Sequence, residues 1–407
     1  MSKKQDEENE NTVFVGTIFH QVENWLNNYY DIRFNEISLN IEIKEKHENE
    51  YNIFNENTIW LRLQKGGIKI PMNSLLAIIK SDFIQSYNPL KHYFKTLPKW
   101  DEKTDYIERF ASYVTLVDDK LFYQFYYSFK KWLVRTVKSV LYKEYYNKQA
   151  FVLADAPNIK GQNIGKTYFL RYLVPKTLKD YIAEDISNDK DARILICKNF
   201  IINIDELSTL SKRDANHLKA FFSKSQINER LPYGRTNVII PRVASFVGST
   251  NMTTFLQDET GSVRWMIFAV LKIDWSYSTE FDINNLWAQA YHLANDPNFD
   301  EKFNVDDVRE NEKRNKQYQV VTAEQELIMK YFKVPSSIDN PRVEFLQPSE
   351  ILIKLSQVAP KIRMHNNNIG KALKAIGYDR IKKYGRYGYY LEHINDDETL
   401  KHIFPTN

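Results

Sequence analysis

Residues 151–167 read FVLADAPNIKGQNIGKT. The apolar run Phe151-Val152-Leu153-Ala154 has the length of a buried strand. A polar loop follows through Asp155, Pro157, Asn158, Lys160, Gly161, Gln162 and Asn163, and Ile164-Gly165-Lys166-Thr167 leads into the helical pattern YFLRYL. Strand, glycine-bearing loop, Lys-Thr and helix together form the context of a phosphate-binding loop. In such a loop, backbone N–H groups converge on phosphate oxygens. Lys166 would add a point charge at the β- and γ-phosphates, and Thr167 would offer its hydroxyl to Mg²⁺. Gly161, Asn163, Ile164, Gly165, Lys166 and Thr167 are therefore candidate nucleotide-binding residues. The spacing departs from the usual pattern, in which four residues separate the first glycine from Gly-Lys. Gly161 leaves three, and Lys160 holds the expected position. Asn163 stands where many such loops carry another glycine, and asparagine tolerates left-handed backbone, so the loop is still expected to close. A chance Gly-Lys-Thr is the alternative, and the flanking strand and helix weigh against it.

The 407 residues allow two or three domains. At 43% hydrophobic and 27% charged the composition is that of a soluble globular protein, with 26 Tyr and 24 Phe to build cores. The single cysteine, Cys197, excludes an intramolecular disulfide and a cysteine-based zinc cluster, and reads as a small apolar residue in the run ILIC. No apolar stretch approaches the ~20 residues of a membrane span. The start, MSKKQDEENENT, lacks a signal-peptide core and reads as a short disordered tail over residues 1–12, so a cytoplasmic location is expected. The net charge of +4 means that any nucleic-acid binding must come from local patches.

Residues 13–35 read as a helix, followed by a strand in the alternating ISLNIEI; with Pro71 opening MNSLLAIIKSDF and the helical YNPLKHYF, the expectation for 13–125 is a mainly helical packing domain. Residues 118–146 read as a long amphipathic helix or a pair of helices. Arg135 lies among its apolar residues, either to meet a partner subunit or nucleotide or, more commonly, to snorkel. Residues 193–199 and 200–204 read as bracketing an apolar strand that ends in Asp205-Glu206. There Asp205 would hold Mg²⁺ and Glu206 would activate the attacking water, against the alternative of a surface acidic pair. The next buried strand, 242–251, ends in Asn251, which either bonds the γ-phosphate or the water, or simply caps a strand end. Arg264 precedes the strand Trp265-Met266-Ile267-Phe268. It is either a finger across a subunit boundary or the partner of Asp258 or Glu259. Residues 286–317 read as helical and then highly charged, with 291–317 as a lid-like or connecting helix.

From about Thr322 a small domain begins, with helices opening at the capping-box-like Thr322-Ala323-Glu324-Gln325 and at Pro348, a third at 366–376, and a hairpin turning at Gly385-Arg386. Three helices and a hairpin suggest a winged helix. Between residues 361 and 390 stand eight basic residues, including Lys371, Lys374, Lys382, Lys383 and Arg386, against one acidic residue, Asp379. Tyr384, Tyr387 and Tyr389 interleave with them. Such clustering is the footprint of phosphate-backbone binding, and a solvated charged face is the alternative.

The ordered segments GQNIGKT, IDELSTL, HLKAFFS, RLPYGR, PRVASFVGSTN and DETGSVRW resemble the virulence-associated protein E family, AAA+-type ATPases related to superfamily 3 helicases of phages, plasmids and other mobile elements. The segment YNPLKHYFKTLPKWD is similar to the part that precedes the ATPase in that family. The resemblance implies Lys166 and Thr167 as the phosphate-loop pair, Asp205 and Glu206 as the Mg²⁺ and catalytic acids, Asn251 as the sensor, and Arg264 as the arginine of a G-x-x-R segment. Relatives often carry two adjacent arginines there, and Val263 takes the other place. Arg230 and Arg235 match the R-x-x-Y-G-R element. No catalytic primase signature precedes the ATPase, so any primer synthesis is left to a separate primase.

The resulting expectation is an α/β P-loop AAA+-like ATPase core at 126–290, a helical N-terminal domain and a small winged-helix-like C-terminal domain at 318–407. The chain would bind ATP and Mg²⁺, assemble as a homo-oligomer in a hexameric ring, and act as a helicase on single-stranded or forked DNA. Arg235 and Arg264 are the finger candidates. Lys219, Lys224 and Arg230, between the acidic pair and the sensor strand, join the C-terminal hairpin as DNA contacts. An ATP-driven oligomeric switch without unwinding is the second reading, and a passive DNA-binding protein with a decayed ATPase is the third.

Overall fold

Past Tyr29 the side-chain period changes from helical to alternating, and the backbone changes with it. The computed structural model describes residues 16–155, 164–184, 186, 190–205, 207, 218, 220–230, 236–251, 255–256, 262–383 and 385–394. Helix α1, Ile18–Tyr29, buries Val22 and Leu26. Strand β1, Tyr30–Asn35, pairs antiparallel with β2, Asn40–Glu45. Strand β3, Asn52–Ile53, pairs with β2, and β4, Gln85–Tyr87, runs parallel to β1, so the sheet order is β3-β2-β1-β4. Helices α2, Glu56–Lys65, and α3, Met72–Ile79, supply Leu63, Leu75 and Ile78 to the same core. The mainly helical N-terminal domain expected from the sequence is thus corrected to a mixed α/β unit. Residues 30–35 continue the apolar pattern of the helix before them although their own period is two, and three-residue and two-residue strands carry no usable period. Arg33 lies between the rings of Tyr51 and Tyr87, at 3.7 and 3.8 Å, and pairs with Glu42 at 2.7 Å. Buried Asn35 ties this unit to the next, donating to the Tyr181 hydroxyl at 2.8 Å.

Helix α4, Pro89–Thr96, starts at a side-chain cap from Asn88, and α5, Tyr106–Ala111, at one from Asp105. After the short strand β5, Val114–Leu116, helix α6, Phe122–Leu141, runs beneath a six-stranded sheet. Its strands are β5, β6 (Ala150–Asp155), β7 (Ile182–Glu184), β8 (Ile201–Ile204), β11 (Ser245–Thr250) and β12 (Trp265–Ile273), in the order β5-β12-β6-β11-β8-β7. Between β8 and β11, β9 (Gln226–Glu229) and β10 (Val238–Pro241) form a separate antiparallel ribbon. All pairings in the sheet are parallel except β12 with β5. Every residue of β6 is buried, as expected of a parallel strand covered on both faces. Phe151 and Leu153 face the core that holds Phe129 and Trp132 of α6, while Ala150, Val152 and Ala154 face the opposite one.

Residues 193–199, expected as part of a strand, lie instead at the end and just beyond helix α8, Lys190–Lys198. A short apolar run fits either element by period alone, and here Ile194 and Cys197 pack together on the second core of the sheet. Burial there pushes the Cys197 thiol up to about 12, consistent with its reading as a small apolar residue. The charged segment after residue 300 folds as the helix Val305–Asn315 and packs on β12 rather than spanning solvent. Asn311 and Asn315 donate to the Trp265 carbonyl at 2.9 and 2.8 Å, and Arg314 Nε donates to that of Ile267 at 2.9 Å. Antiparallel β5 pairs only from Val270 onward, so these side chains satisfy the strand edge that β5 leaves open. Buried Arg242 similarly donates to the carbonyls of Asn147, Phe221 and Phe222, fastening the segment before β9 to the sheet.

The C-terminal unit follows its sequence pattern closely. The helix Ala323–Tyr331 opens with a capping box between Thr322 and Gln325, and the helices Pro348–Val358 and Asn366–Ile376 follow. Strands β13 (Phe332–Lys333), β14 (Val343–Leu346), β15 (Ile381–Lys383) and β16 (Arg386–His393) complete it, with β16 antiparallel to the other three. Gly385, at φ +77°, takes the left-handed turn between β15 and β16. No described helix is long and apolar enough to cross a membrane.

Asp105 joins α5, α6 and the helix Ile283–Asn295. It accepts from the Glu108 N–H at 2.9 Å, Lys130 Nζ at 2.9 Å, Gln289 Nε2 at 3.0 Å and the Tyr126 hydroxyl. Burial by itself raises its carboxyl, but these hydrogen bonds hold it below the usual carboxylate value. A depressed carboxylate contributes stability above its unfolded value, about 3.9, which is lost as pH falls through the folded one. Asp105→Asn is therefore expected to cost about 1–3 kcal/mol at pH 7, with the gap to wild type closing below about pH 4. Urea unfolding at the two pH values measures it, and an equal gap at both would refute the account.

Candidate active site

Strands β6, β8 and β11 are parallel, so their C-terminal ends emerge on one edge of the sheet, where ligands of open α/β folds bind. Asp155 closes β6, Asp205 follows β8, and Ser249 and Thr250 close β11, with Asn251 next after it. The register sets Thr250 opposite Ala154 and Gly248 opposite Ile204, which places Asn251 beside Asp155 and Ser249 beside Asp205. Helix α7, Lys166–Tyr172, begins above them at Gly165, whose φ is +91°. A side chain at Gly165 would collide with the Trp275 ring, so both the backbone angle and the space there require glycine. Gly165, Asp205, Ser249, Thr250, Asn251 and Trp275 line a cavity of ≈ 590 Å³ together with Lys166 and Thr167.

The ammonium of Lys166 is buried, with its side chain only 5% exposed. It is paired with the carboxylate of Asp155 and donates to Asn251 Oδ1 at 3.0 Å. Beside it, the Thr167 hydroxyl donates to Asp205 Oδ1 at 2.9 Å and Ser249 Oγ donates to the same oxygen at 2.6 Å, the two hydroxyls lying 3.1 Å apart. A carboxylate with two hydroxyls is an all-oxygen donor set of the kind a hard divalent cation such as Mg²⁺ takes, leaving its other positions to water and phosphate. No cluster of three or more His, Cys, Asp or Glu side chains suited to a metal occurs among the described residues. At the mouth, Trp275 and Tyr168 are 48% and 62% exposed, with ring centroids 5.8 Å apart.

Of the residues singled out from the sequence, Ile164, Gly165, Lys166, Thr167, Asp205 and Asn251 meet in this cavity. Gly161, Asn163, Glu206, Lys219, Arg235, Asp258, Glu259 and Tyr384 lie outside the described residues. Arg264 is elsewhere, just before β12 at the opposite edge of the sheet, where it donates to Ser223 Oγ at 3.3 Å. Trp265 pairs with Ala150, whereas Val270 pairs with Asp155. Five residues of strand, roughly 17 Å, therefore separate Arg264 from the cavity of its own chain. Lys224 and Arg230 flank β9 in the ribbon, Arg230 exposed. Lys371, Lys374, Lys382 and Arg386 are exposed on the C-terminal helix and hairpin, and Lys383 is half-buried. Arg380 and Lys382 lie over the ring of Tyr387, at 4.4 and 5.6 Å, and that ring is 51% exposed, whereas Tyr389 is buried in the C-terminal core.

Sequence reading missed Asp155, Ser249, Tyr168 and Trp275 as site residues. Asp155 stands directly after an apolar run and Ser249 two residues before Asn251, a same-face spacing on a strand, so both left a signal. Trp275 left none, because its contact with Gly165 arises only when β12 lies parallel to β6. Lys166 and Asp155 form a buried pair, so removing one partner leaves the other charge uncompensated. Lys166→Met is expected to cost about 3–5 kcal/mol, and the double change D155N/K166M to recover most of it. Thermal and urea unfolding of the four proteins give the coupling; additive losses would contradict the pairing.

The family model of the virulence-associated protein E-like domain matches residues 94–321. No curated protein matches the chain. Among solved structures, the apo structure of the NrS-1 C-terminal region (305–718) aligns with 93% of this chain and 99% of that one, at 14% identity and a TM-score of 0.49. An A-form apo structure of the same region aligns over 93% and 100% of the two chains, at 13% identity and a TM-score of 0.48. The family match spans more than half of the sequence and carries both Lys166-Thr167 and Asp205 within it, and the chain belongs to the virulence-associated protein E-like family.

Proposed function

We propose that this chain is a Mg-ATP-dependent motor ATPase that acts as a DNA helicase in the replication of a mobile genetic element. The observation that carries the reading is the convergence of Lys166, Thr167, Asp205 and Asn251 on one cavity at the C-terminal edge of a parallel sheet. Lys166 would exchange its pairing with Asp155 for the β- and γ-phosphates of ATP. Thr167 and Asp205 would hold Mg²⁺, which when bound draws charge from the phosphoryl oxygens. Trp275 and Tyr168 offer aromatic faces to the adenine at the mouth. Asn251 orients the attacking water and Glu206 takes its proton as the oxygen bonds to the γ-phosphorus and the bond to ADP breaks.

Arg264 sits too far from its own cavity to reach that phosphate, which supports its use, or that of Arg235, on the nucleotide of a neighbouring protomer in a ring. A hexamer is the assembly proposed. The basic C-terminal unit is read as a winged helix, and its hairpin, together with Lys224 and Arg230 flanking β9 and with Lys219, would follow single-stranded or forked DNA. Primer synthesis would come from a separate primase.

Steady-state ATP hydrolysis with and without single-stranded DNA tests the reading. DNA is expected to stimulate wild type. D155N/K166M should be inactive, and Arg264→Ala should fall by about 10³-fold. Mixing the two inactive proteins should restore turnover, because one supplies the finger and the other the nucleotide site; no restoration would remove the finger from Arg264. Replacing Lys382, Lys383 and Arg386 by Ala should reduce the salt slope of single-strand binding by about 2; an unchanged slope would take the hairpin off the DNA.

The Lys166–Asp155 pair also favours a second reading, an ATP-driven oligomeric switch. In it, phosphate binding releases Asp155 and drives assembly without strand separation. ATP-dependent oligomers that leave a forked duplex intact would select it.

A further inference from the structure

Arg135, on the buried face of α6, holds a positive charge in the core with no described carboxylate bonded to it. Its side chain bonds Gln149 Oε1 and approaches Met266 Sδ at 3.6 Å, with the guanidinium 4.9 Å from the Phe303 ring centroid. Its Nε has no hydrogen-bond partner among the described residues, although the residue is only 7% exposed. Burial lowers its pKa to about 10, so it remains charged at neutral pH. The nearby carboxylate of Glu301 is taken by Lys138 at 2.6 Å and by the Tyr145 hydroxyl at 3.1 Å. An unpaired buried guanidinium is costly unless an anion compensates it.

Arg135 lines a cavity of ≈ 640 Å³, a volume suited to a small-molecule ligand. Arg264, Lys148 and Lys302 bring three more cations to the lining, against the one carboxylate of Glu144. Tyr145, Tyr146 and Phe303 give it aromatic walls of the kind on which a base stacks. Gln149, immediately before β6, and Val263, two residues before β12, are in the same lining, so the cavity lies at the sheet edge opposite the one that carries Lys166.

We propose that this cavity is a second ligand site, which takes a nucleoside phosphate with its phosphoryl group on Arg135, Lys148 and Lys302 and its base among the aromatic side chains. The unit is either a free nucleotide or the 5′-phosphorylated end of a strand, and both present the same chemistry. The site does not depend on the Lys166 cavity, and its occupant would be held within one chain.

Titration calorimetry on full-length D155N/K166M, in which the first cavity is silenced in every copy, tests this. The probes are ADP, a 5′-phosphorylated oligothymidylate and the same oligonucleotide with a 5′-hydroxyl. One ADP or one phosphorylated strand end is expected to bind per chain, and adding Lys148→Ala with Lys302→Ala should weaken it by about tenfold. Both lysines are exposed, so this pair carries the test if Arg135→Met, expected to abolish binding, fails to fold. Binding of ADP alone identifies a free nucleotide, and binding of the phosphorylated strand alone identifies a strand end. The proposal is overturned if ADP does not bind and the 5′-phosphate adds nothing to the binding of the 5′-hydroxyl strand, or if the lysine changes leave the ADP or phosphate-dependent binding unaltered. Failure here leaves hydrolysis at Lys166 untouched, whereas failure of the motor reading appears in wild-type turnover.

Discussion

Burial of β6 on both faces is the constraint on which the rest depends. A strand with all six residues buried has to find hydrogen-bonding partners on both sides and apolar cover above and below. It receives β11 and β12 as parallel neighbours, α6 with Phe129 and Trp132 on one face, and the layer containing α8 on the other. Once those neighbours are parallel, their C-terminal ends meet at one edge. Asp155, Asp205 and Asn251 then come together although they are far apart in the chain.

The same parallel arrangement separates charges of different function. At one edge, Lys166 is neutralised within the protein by Asp155, so the charge that would meet phosphate is already desolvated and held. At the other edge, Arg135 is desolvated with no described carboxylate bonded to it, and Arg264, Lys148 and Lys302 gather around the same cavity. The free edge of β12 between these regions is closed by amide and guanidinium groups of the helix Val305–Asn315, so a segment whose composition suggests a solvated connector contributes to the sheet.

Legibility in the sequence followed the physical size of each signal. The runs at 151–154, 200–204 and 265–268 read as strands because burial on both faces makes them almost continuously apolar, and 242–251 reads as one with a polar end. The C-terminal helices were readable from their caps, with Thr322 and Gln325 forming the expected reciprocal pair. By contrast, residues 193–198 fit strand and helix equally well until the sheet offered a second face to pack on. Residues 30–35 were hidden by the helix pattern that leads into them. Lys166, Thr167, Asp205 and Asn251 were legible because each stands at a strand end or loop exit, where polar side chains after an apolar run are conspicuous. Trp275 and the surroundings of Arg135 were not, since nothing local distinguishes an aromatic that covers a glycine from one that packs elsewhere.

The sequence by itself determined that this chain has a buried strand leading through a glycine-bearing loop to Lys-Thr and a helix, that a second such strand ends in Asp-Glu, and that a basic segment lies near its end. These are properties of short windows, set by period, propensity and charge. Tertiary structure alone decided that Asp155 holds Lys166, that Ser249 joins Thr167 on one carboxylate oxygen, that Arg264 stands at the far edge from its own cavity, and that Arg135 is buried beside an open space. Each of these depends on strand register and sheet order, which are fixed by long-range burial and pairing and leave no mark in the neighbouring residues.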